Sequence, residues 1–279
     1  MEITYMDQEL LQIFDQLPNQ KIATVHSIFD KVVNLLAIDE YHLLTIALEE
    51  VIQAPKMMKI SKDDFSKLKI SIKIGDPVFL QEGQIIMGSV QLNYSEVDLW
   101  NGKIPVNKKF TPVNGLVNLK EKDSGLLSAW LKFSDGVEFQ NENAYAQPLY
   151  ERLQNFEVAL QCSCPDEIRE ASRNFIGLGP GLTPSGDDFM LGCLTTWQCL
   201  DDPVFQVYQA KDWLDSIKGQ TTTVSYHMLK EGLGGFVNDA LIGFLSGRDQ
   251  DSARFQEIGA TSGLDMLIGV LFASRYSEV

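Results

Sequence analysis

Residues 176–188, Ile-Gly-Leu-Gly-Pro-Gly-Leu-Thr-Pro-Ser-Gly-Asp-Asp, limit the chain more than any other stretch. Their four glycines and two prolines interrupt any helix or strand, while the residues on both sides have helical periodicity. The run therefore reads as a tight loop feeding a helix. Thr183 can be the N-cap with Pro184 at the first helical position; alternatively Ser185 caps, with Asp188 three residues on as partner. Either start leaves backbone N–H groups and the positive end of a helix dipole facing the loop. A small anion is the natural guest of such a place. The glycine spacing lacks the third glycine of a dinucleotide fingerprint, and no Gly-Lys-Ser/Thr follows as in a P-loop.

The start of this helix has a second copy. Ser185-Gly186-Asp187-Asp188, with Gly192 and Leu194 beyond it, aligns with Ser262-Gly263-Leu264-Asp265, Gly269 and Leu271. In both copies an aspartate and a glycine lie four apart, on one helix face. We expect the two helices to pack against each other at Gly192 and Gly269, and Asp188 and Asp265 to converge. Successive helix positions point about 100° apart, so Asp187 and Asp188 cannot both aim at one point; one binds and the other caps. A third polar cluster, residues 219–227, offers Thr221 as an N-cap and Ser225 one turn later. His227 stands nearby, and His26 and His42 lie far upstream without visible partners.

Candidate site residues follow from this pattern. Gly177, Gly179, Gly181, Thr183, Ser185 and Gly186, with Thr221, Ser225, Ser262 and Gly263, would form the substrate-binding shell through backbone N–H groups and hydroxyls. Asp187, Asp188 and Asp265 are the candidate catalytic carboxylates, and Asp188 with Asp265 could hold Mg²⁺, a hard ion suited to oxygen ligands. Arg173, just before the loop, could offset the negative field. The sequence has neither a Gly-x-Ser-x-Gly elbow nor a His-Glu-x-x-His helix.

A net charge of −15 in 279 residues argues against nucleic acid or an anionic membrane as partner, since both need a positive surface. The N-terminus lacks a basic region and an apolar core, so no signal peptide is expected, and the longest apolar runs are too short to span a membrane. Cys162, Cys164, Cys193 and Cys199 have no zinc spacing and read as reduced thiols of a cytoplasmic protein.

The rest of the chain divides by period. Residues 7–17 read as a short amphipathic helix. Between Lys21 and Pro112, residues 21–29, 67–74, 84–92 and the stretch before Gln53 read as strands, with turn signals at Gly75-Asp76-Pro77, Glu82-Gly83 and Asn101-Gly102. Leu68, Ile70, Ile72 and Ile74 would face a core. After Pro112 the pattern becomes helical over 116–133, 144–162, 166–174, 185–200, 204–218, 222–231, 236–246, 251–258 and 262–274. The expected fold is α+β: a small β-rich, barrel-like subdomain over residues 1–112 and a helical subdomain over 113–279 carrying the loop.

The run Gly-Leu-Gly-Pro-Gly-Leu-Thr-Pro-Ser-Gly-Asp-Asp resembles the signature of the AllH-type family. The resemblance extends to His26-Ser27-Ile28-Phe29, to Thr221–Ser225 and to residues 258–265. It implies a subunit of an oxamate carbamoyltransferase, acting with an FdrA-like protein and a second companion subunit. That enzyme converts oxalurate and phosphate to oxamate and carbamoyl phosphate in allantoin breakdown. The family resemblance carries no residue-level roles over to this chain. Two other readings stay open: a stand-alone Mg-dependent hydrolase of a phosphorylated or ribosyl substrate, and a non-catalytic assembly subunit.

Overall fold

The computed structural model describes residues 1–17, 19–38, 42–112, 124–139, 143–209, 211–247 and 249–277. It divides into two compact units, Met1–Gly102 and Lys103–Val279.

The first unit is one curled, nine-stranded half-barrel sheet. In chain order it holds β1 (Ile3–Asp7), α1 (Gln8–Asp15), β2 (Gln20–Ile28), β3 (Val32–Ala37), β4 (Leu43–Leu48) and β5 (Met57–Ile60). Then come α2 (Lys62–Ser71), β6 (Pro77–Gln81), β7 (Gln84–Met87), β8 (Val90–Asn93) and β9 (Asp98–Trp100). The order across the sheet is β8-β7-β6-β2-β3-β4-β5-β1-β9. The pairs β4–β5 and β1–β9 are parallel and the rest antiparallel. Alternate residues such as Val33, Leu35, Leu44, Ile46, Met58 and Ile60 fill the core, where Leu10 and Phe14 of α1 also sit. Glu82 and Gly83, both at positive φ, form the two-residue turn of the β6–β7 hairpin, as right-handed strand twist favours.

Two strand expectations are corrected here. Residues 67–74 do not form a strand: α2 covers Lys62–Ser71, Phe65, Leu68 and Ile72 are buried, and Ile70 and Ile74 are 86% and 68% exposed. The local cap overrides the Lys/Ile alternation. Ser61 accepts the Asp64 N–H, and Asp63 and Asp64 sit in the first turn, where the helix dipole favours negative charge. Residues 84–92 are two strands, β7 and β8, folded back at Gly88, which has φ +58°.

The second unit is mainly helical: α3 (Gly125–Asp135), α4 (Ala146–Cys162), α5 (Pro165–Arg173), α6 (Ser185–Leu200), α7 (Gln206–Gln209), α8 (Lys211–Ile217), α9 (Thr223–Leu233), α10 (Asp239–Leu245) and α11 (Ser262–Arg275). The helix expected over 204–218 is broken into a 3-10 turn, α7 and α8. The segment expected as helix over 251–258 is 3-10, over Asp249–Glu257. Val113 and residues 116–123 of the helix expected over 116–133 lie outside the described residues.

Every residue of α6 except Gln198 is buried, and α11 is buried on nearly every side. A helix that is apolar all round belongs at the centre of a bundle. These two make that centre. Phe189 of α6 and Phe272 of α11 meet edge to face with centroids 5.3 Å apart, while Phe175 stacks on Phe189 at 4.6 Å and Phe156 on Phe272 at 5.4 Å. Among the described residues, no helix is long and apolar enough to cross a membrane.

Candidate functional site

The pairing expected of the two repeated helices is present and reciprocal. A Cβ on Gly192 would lie 2.1 Å from the Met266 carbonyl oxygen, and one on Gly269 would lie 2.1 Å from that of Phe189. Position 266 stands to α11 as position 189 does to α6, so the crossing is an approximate two-fold. Only glycine lets the backbones approach so closely. Cys193 adds a thiol bond to the Gly269 carbonyl at 3.3 Å.

The two helix starts are brought together by this crossing. Thr183 Oγ1 and Ser262 Oγ are 2.8 Å apart and bridge them. Gly186 and Gly263, expected in the binding shell, have a different task. Their missing side chains admit the Phe175 and Phe255 carbonyl oxygens, which would lie 2.0 and 1.9 Å from a Cβ. Their N–H groups donate to Leu178 and Ile258. Both glycines are packing residues.

The helix caps also differ from expectation. Neither Thr183 nor Ser185 caps α6. Pro184 holds the cap position, and its carbonyl accepts from the Asp187 and Asp188 N–H groups. Thr183 is turned toward Ser262 instead. On α9 the cap is Thr222, not Thr221: Thr222 Oγ1 accepts the Ser225 N–H at 3.1 Å.

Thr221 and Ser225 both donate to Asp187 Oδ2, Ser225 at 2.6 Å, while Asp187 Oδ1 accepts the Gly177 N–H at 2.8 Å. Asp187 thus joins the loop start, the α9 start and α6. Burial pushes its carboxyl up, and the three donors pull the other way. Gly177 has φ +76°, and a Cβ there would meet the Gln220 carbonyl at 2.3 Å. Gly177, Asp187, Thr221 and Ser225 form one clasp whose polar atoms are directed at each other.

Asp188 points the other way. It is 2% exposed, its Oδ2 has no hydrogen-bond partner, and among the described residues no cation pairs with it. Burial, with the Asp265 carboxyl close by, holds it well above the usual carboxylate range, against hydrogen bonding from Ser262 and Thr183. Asp265 is fully buried and accepts from Ser124 Oγ at 2.5 Å. Ser124 also caps α3 through the Leu126 and Leu127 N–H groups. Ser124 was absent from the sequence-derived shell because a serine before an apolar run looks like any cap. Arg173 is occupied by Glu170. His227 is buried in α9, and the described residues contain no group of three or more His, Cys, Asp or Glu side chains arranged for a metal ion.

The loop between these helices keeps unfilled donors. Among the described residues, the N–H groups of Gly179, Gly181, Leu182, Thr183 and Ser185 donate to no acceptor in the chain. Gly181 and Leu182 are exposed, and nothing lies within 4 Å of a Cβ built on Gly181.

Residues 175–274 match the family model described as oxamate carbamoyltransferase subunit AllH, and residues 2–100 match that of the AllH family N-terminal domain. The chain belongs to the AllH family. No solved structure matches it. The AllH match begins at Phe175, the residue whose carbonyl seats Gly186, and ends at Ser274 inside α11. It therefore takes in both helix starts, the loop and the Asp187 clasp. Ser124 lies outside both AllH matches.

Proposed function

We propose that this chain is a subunit of a cytoplasmic oxamate carbamoyltransferase-like complex that interconverts oxalurate plus phosphate with oxamate plus carbamoyl phosphate. Its companions in this reading are an FdrA-like protein and a second subunit. The family match over both units supports the assignment to such an enzyme. The observation that carries the site is the set of unfilled loop N–H groups beside the Thr183–Ser262 hydroxyl pair, where two helix starts meet. Oxalurate, phosphate, oxamate and carbamoyl phosphate are all small anions, which helix N-termini receive.

In the forward direction a phosphate oxygen bonds to the carbamoyl carbon of oxalurate, and the bond from that carbon to the bridging nitrogen breaks. The nitrogen takes a proton and leaves as the amide of oxamate. Charge on the carbamoyl oxygen grows in the tetrahedral state, and fixed N–H donors are best placed to stabilise it. Gly179, Gly181 and Ser185 supply such donors, with Thr183 and Ser262 hydroxyls at their edge. Asp188 and Asp265 orient the carbamoyl amide, with Mg²⁺ as the alternative guest of the pair. Asp187 holds the loop through its clasp.

Thermal unfolding of the purified chain with phosphate, oxamate, oxalurate or carbamoyl phosphate, each with and without Mg²⁺, tests this reading. A ligand of the native state raises the melting temperature with its occupancy. We expect a rise with at least one of these anions, and its loss in Asp188→Ala. No rise with any of them would sink the anion site.

A further inference from the structure

Helix α1 is not seated evenly on the half-barrel sheet. Its apolar stripe runs through Leu10, Ile13 and Phe14 to Leu17 just past its end; Leu10 and Phe14 are buried, whereas Ile13 and Leu17 are half-buried. Between this stripe and the sheet lies a cavity of about 290 Å³. Ile13, Phe14 and Leu17 wall it on one side, and Ile22, Ala37 and Leu44, from β2, β3 and β4, on the other. All of it belongs to the first unit. We propose that this cavity is a second ligand site, which takes a monocarboxylate with an apolar tail of about eight carbons. Phosphate, oxamate and oxalurate have no such tail, so the site serves a different ligand from the one assigned to the loop.

Size and lining set the ligand class. An apolar cavity of about 150 Å³ holds benzene. A cavity of 290 Å³ therefore accommodates roughly ten to twelve non-hydrogen atoms. Small-molecule sites join a predominantly apolar lining to a few polar groups that fix the ligand's orientation. Here Gln20, Lys21 and His42 are the polar members, and no described residue of the lining is acidic. That is contrary to the chain as a whole, which carries 38 acidic and 23 basic residues. Lys21 is exposed, and among the described residues its ammonium meets no acceptor. A carboxylate held at the mouth gives it one.

The rim is apolar and held in place. Ile38 lines the cavity and is 57% exposed. Its N–H donates to the Ile22 carbonyl at 2.9 Å, and the neighbouring Ala37 N–H donates to the His42 carbonyl at 3.0 Å. An apolar tail entering past Ile38 leaves water along its whole length, and each methylene so transferred strengthens binding about fourfold.

Calorimetric titration of the full chain with octanoate, hexanoate, 1-octanol and octylamine tests the proposal. We expect octanoate to bind at a single site, roughly fifteenfold more tightly than hexanoate, which lacks two methylenes. Octylamine has the same tail with the opposite charge and should bind more weakly than octanoate. Lys21→Met should weaken octanoate about two- to fivefold and should not weaken 1-octanol. Ala37→Phe, which fills the cavity from the β3 wall, should abolish binding of both. Should Ala37→Phe not fold, Ile38→Glu at the exposed rim serves instead, and should weaken octanoate more than 1-octanol. Absence of octanoate binding by wild type would overturn the proposal. So would undiminished binding by a folded Ala37→Phe, or octylamine binding as tightly as octanoate. Phosphate and oxamate titrated into the same variants should behave as with wild type, which keeps this site distinct from the loop.

Discussion

Helices α6 and α11 open on Ser185-Gly186-Asp187-Asp188 and Ser262-Gly263-Leu264-Asp265, and further along Gly192 and Gly269 each give the other helix's backbone a seat. At the third position the two diverge. Asp187 is bound by Gly177, Thr221 and Ser225, so α6 is joined to two other segments by polar contacts. Leu264 is fully buried in the apolar core. The fourth position is again alike, with Asp188 and Asp265 both buried and close enough to raise the Asp188 pKa. A duplicated helix start can thus keep its crossing and its buried carboxyls while one copy carries a loop clasp. The clasp is on the side where the loop carries unfilled N–H groups, as expected if that loop must keep its shape for a ligand.

The crossing is where the two copies should behave most alike, and where the largest effect is expected. Gly192→Val places methyl groups against the Met266 carbonyl, and Gly269→Val does the same against Phe189. Backbone cannot yield as a side-chain tip can, so each should cost roughly 3 kcal/mol or more. Urea unfolding should give similar losses for the two. Because one separation of the helices relieves both clashes, the double variant should lose clearly less than the sum. Strict additivity would break the two-fold reading of this crossing.

The third position should separate the copies. Asp187→Leu gives α6 the residue that α11 carries, and leaves the Gly177 N–H and two hydroxyls without their acceptor. Unsatisfied buried donors cost about 1–3 kcal/mol each at most sites, and partial rehydration of the half-exposed Thr221 keeps the expected total near 2–3 kcal/mol. A neutral outcome in thermal unfolding would show that the clasp contributes nothing and that the copies differ only in name.

Asp188 should respond with the opposite sign to its neighbour. Its folded-state value lies above the ordinary 3.8, so its ionisation opposes folding once pH passes that value. The opposition grows as pH rises toward the folded-state value. Asparagine mimics the protonated form, so Asp188→Asn should match wild type near pH 3.8 and gain on it as pH increases. We expect the gain to grow with pH up to the folded-state value and to level off beyond it. A gain that shrinks with rising pH would contradict the burial of an unpaired carboxyl.

Much of this was readable along the chain. The limits of α6 followed from the glycine-proline run before Ser185 and the apolar residues up to Leu200, and the pairing at Gly192 and Gly269 followed from the repeat. What could not be read depends on partners far away in sequence. The division of labour between Asp187 and Asp188 is decided by Thr221 and Ser225, more than thirty residues on. Ser124 meets Asp265 across 141 positions. The misreading of 67–74 had a local cause. Lysine and isoleucine alternate there, yet the Ser61 cap and the Phe65-Leu68-Ile72 spacing commit the segment to a helix with two isoleucines in solvent. Period alone cannot arbitrate when both templates fit a short run.

Gly181 offers the smallest effect on stability and the sharpest contrast with the clasp. Gly177 and Gly181 are both left-handed, at φ +76° and +95°, but a Cβ meets the Gln220 carbonyl at 2.3 Å at the first and open space at the second. Gly177→Ala should therefore cost strain and a clash, while Gly181→Ala costs strain alone, about 1–2 kcal/mol. If the loop N–H groups receive an anion, Gly181→Ala should weaken phosphate or oxamate binding by more than its small stability loss explains, because its methyl group occupies the open side of the loop. Gly177→Ala would show the reverse balance, with the larger loss in unfolding. Binding titrations set beside unfolding curves for the two variants measure both quantities. Two alanines that lower stability equally and leave binding untouched would make this loop a connector, and the difference between the two helix starts a matter of packing alone.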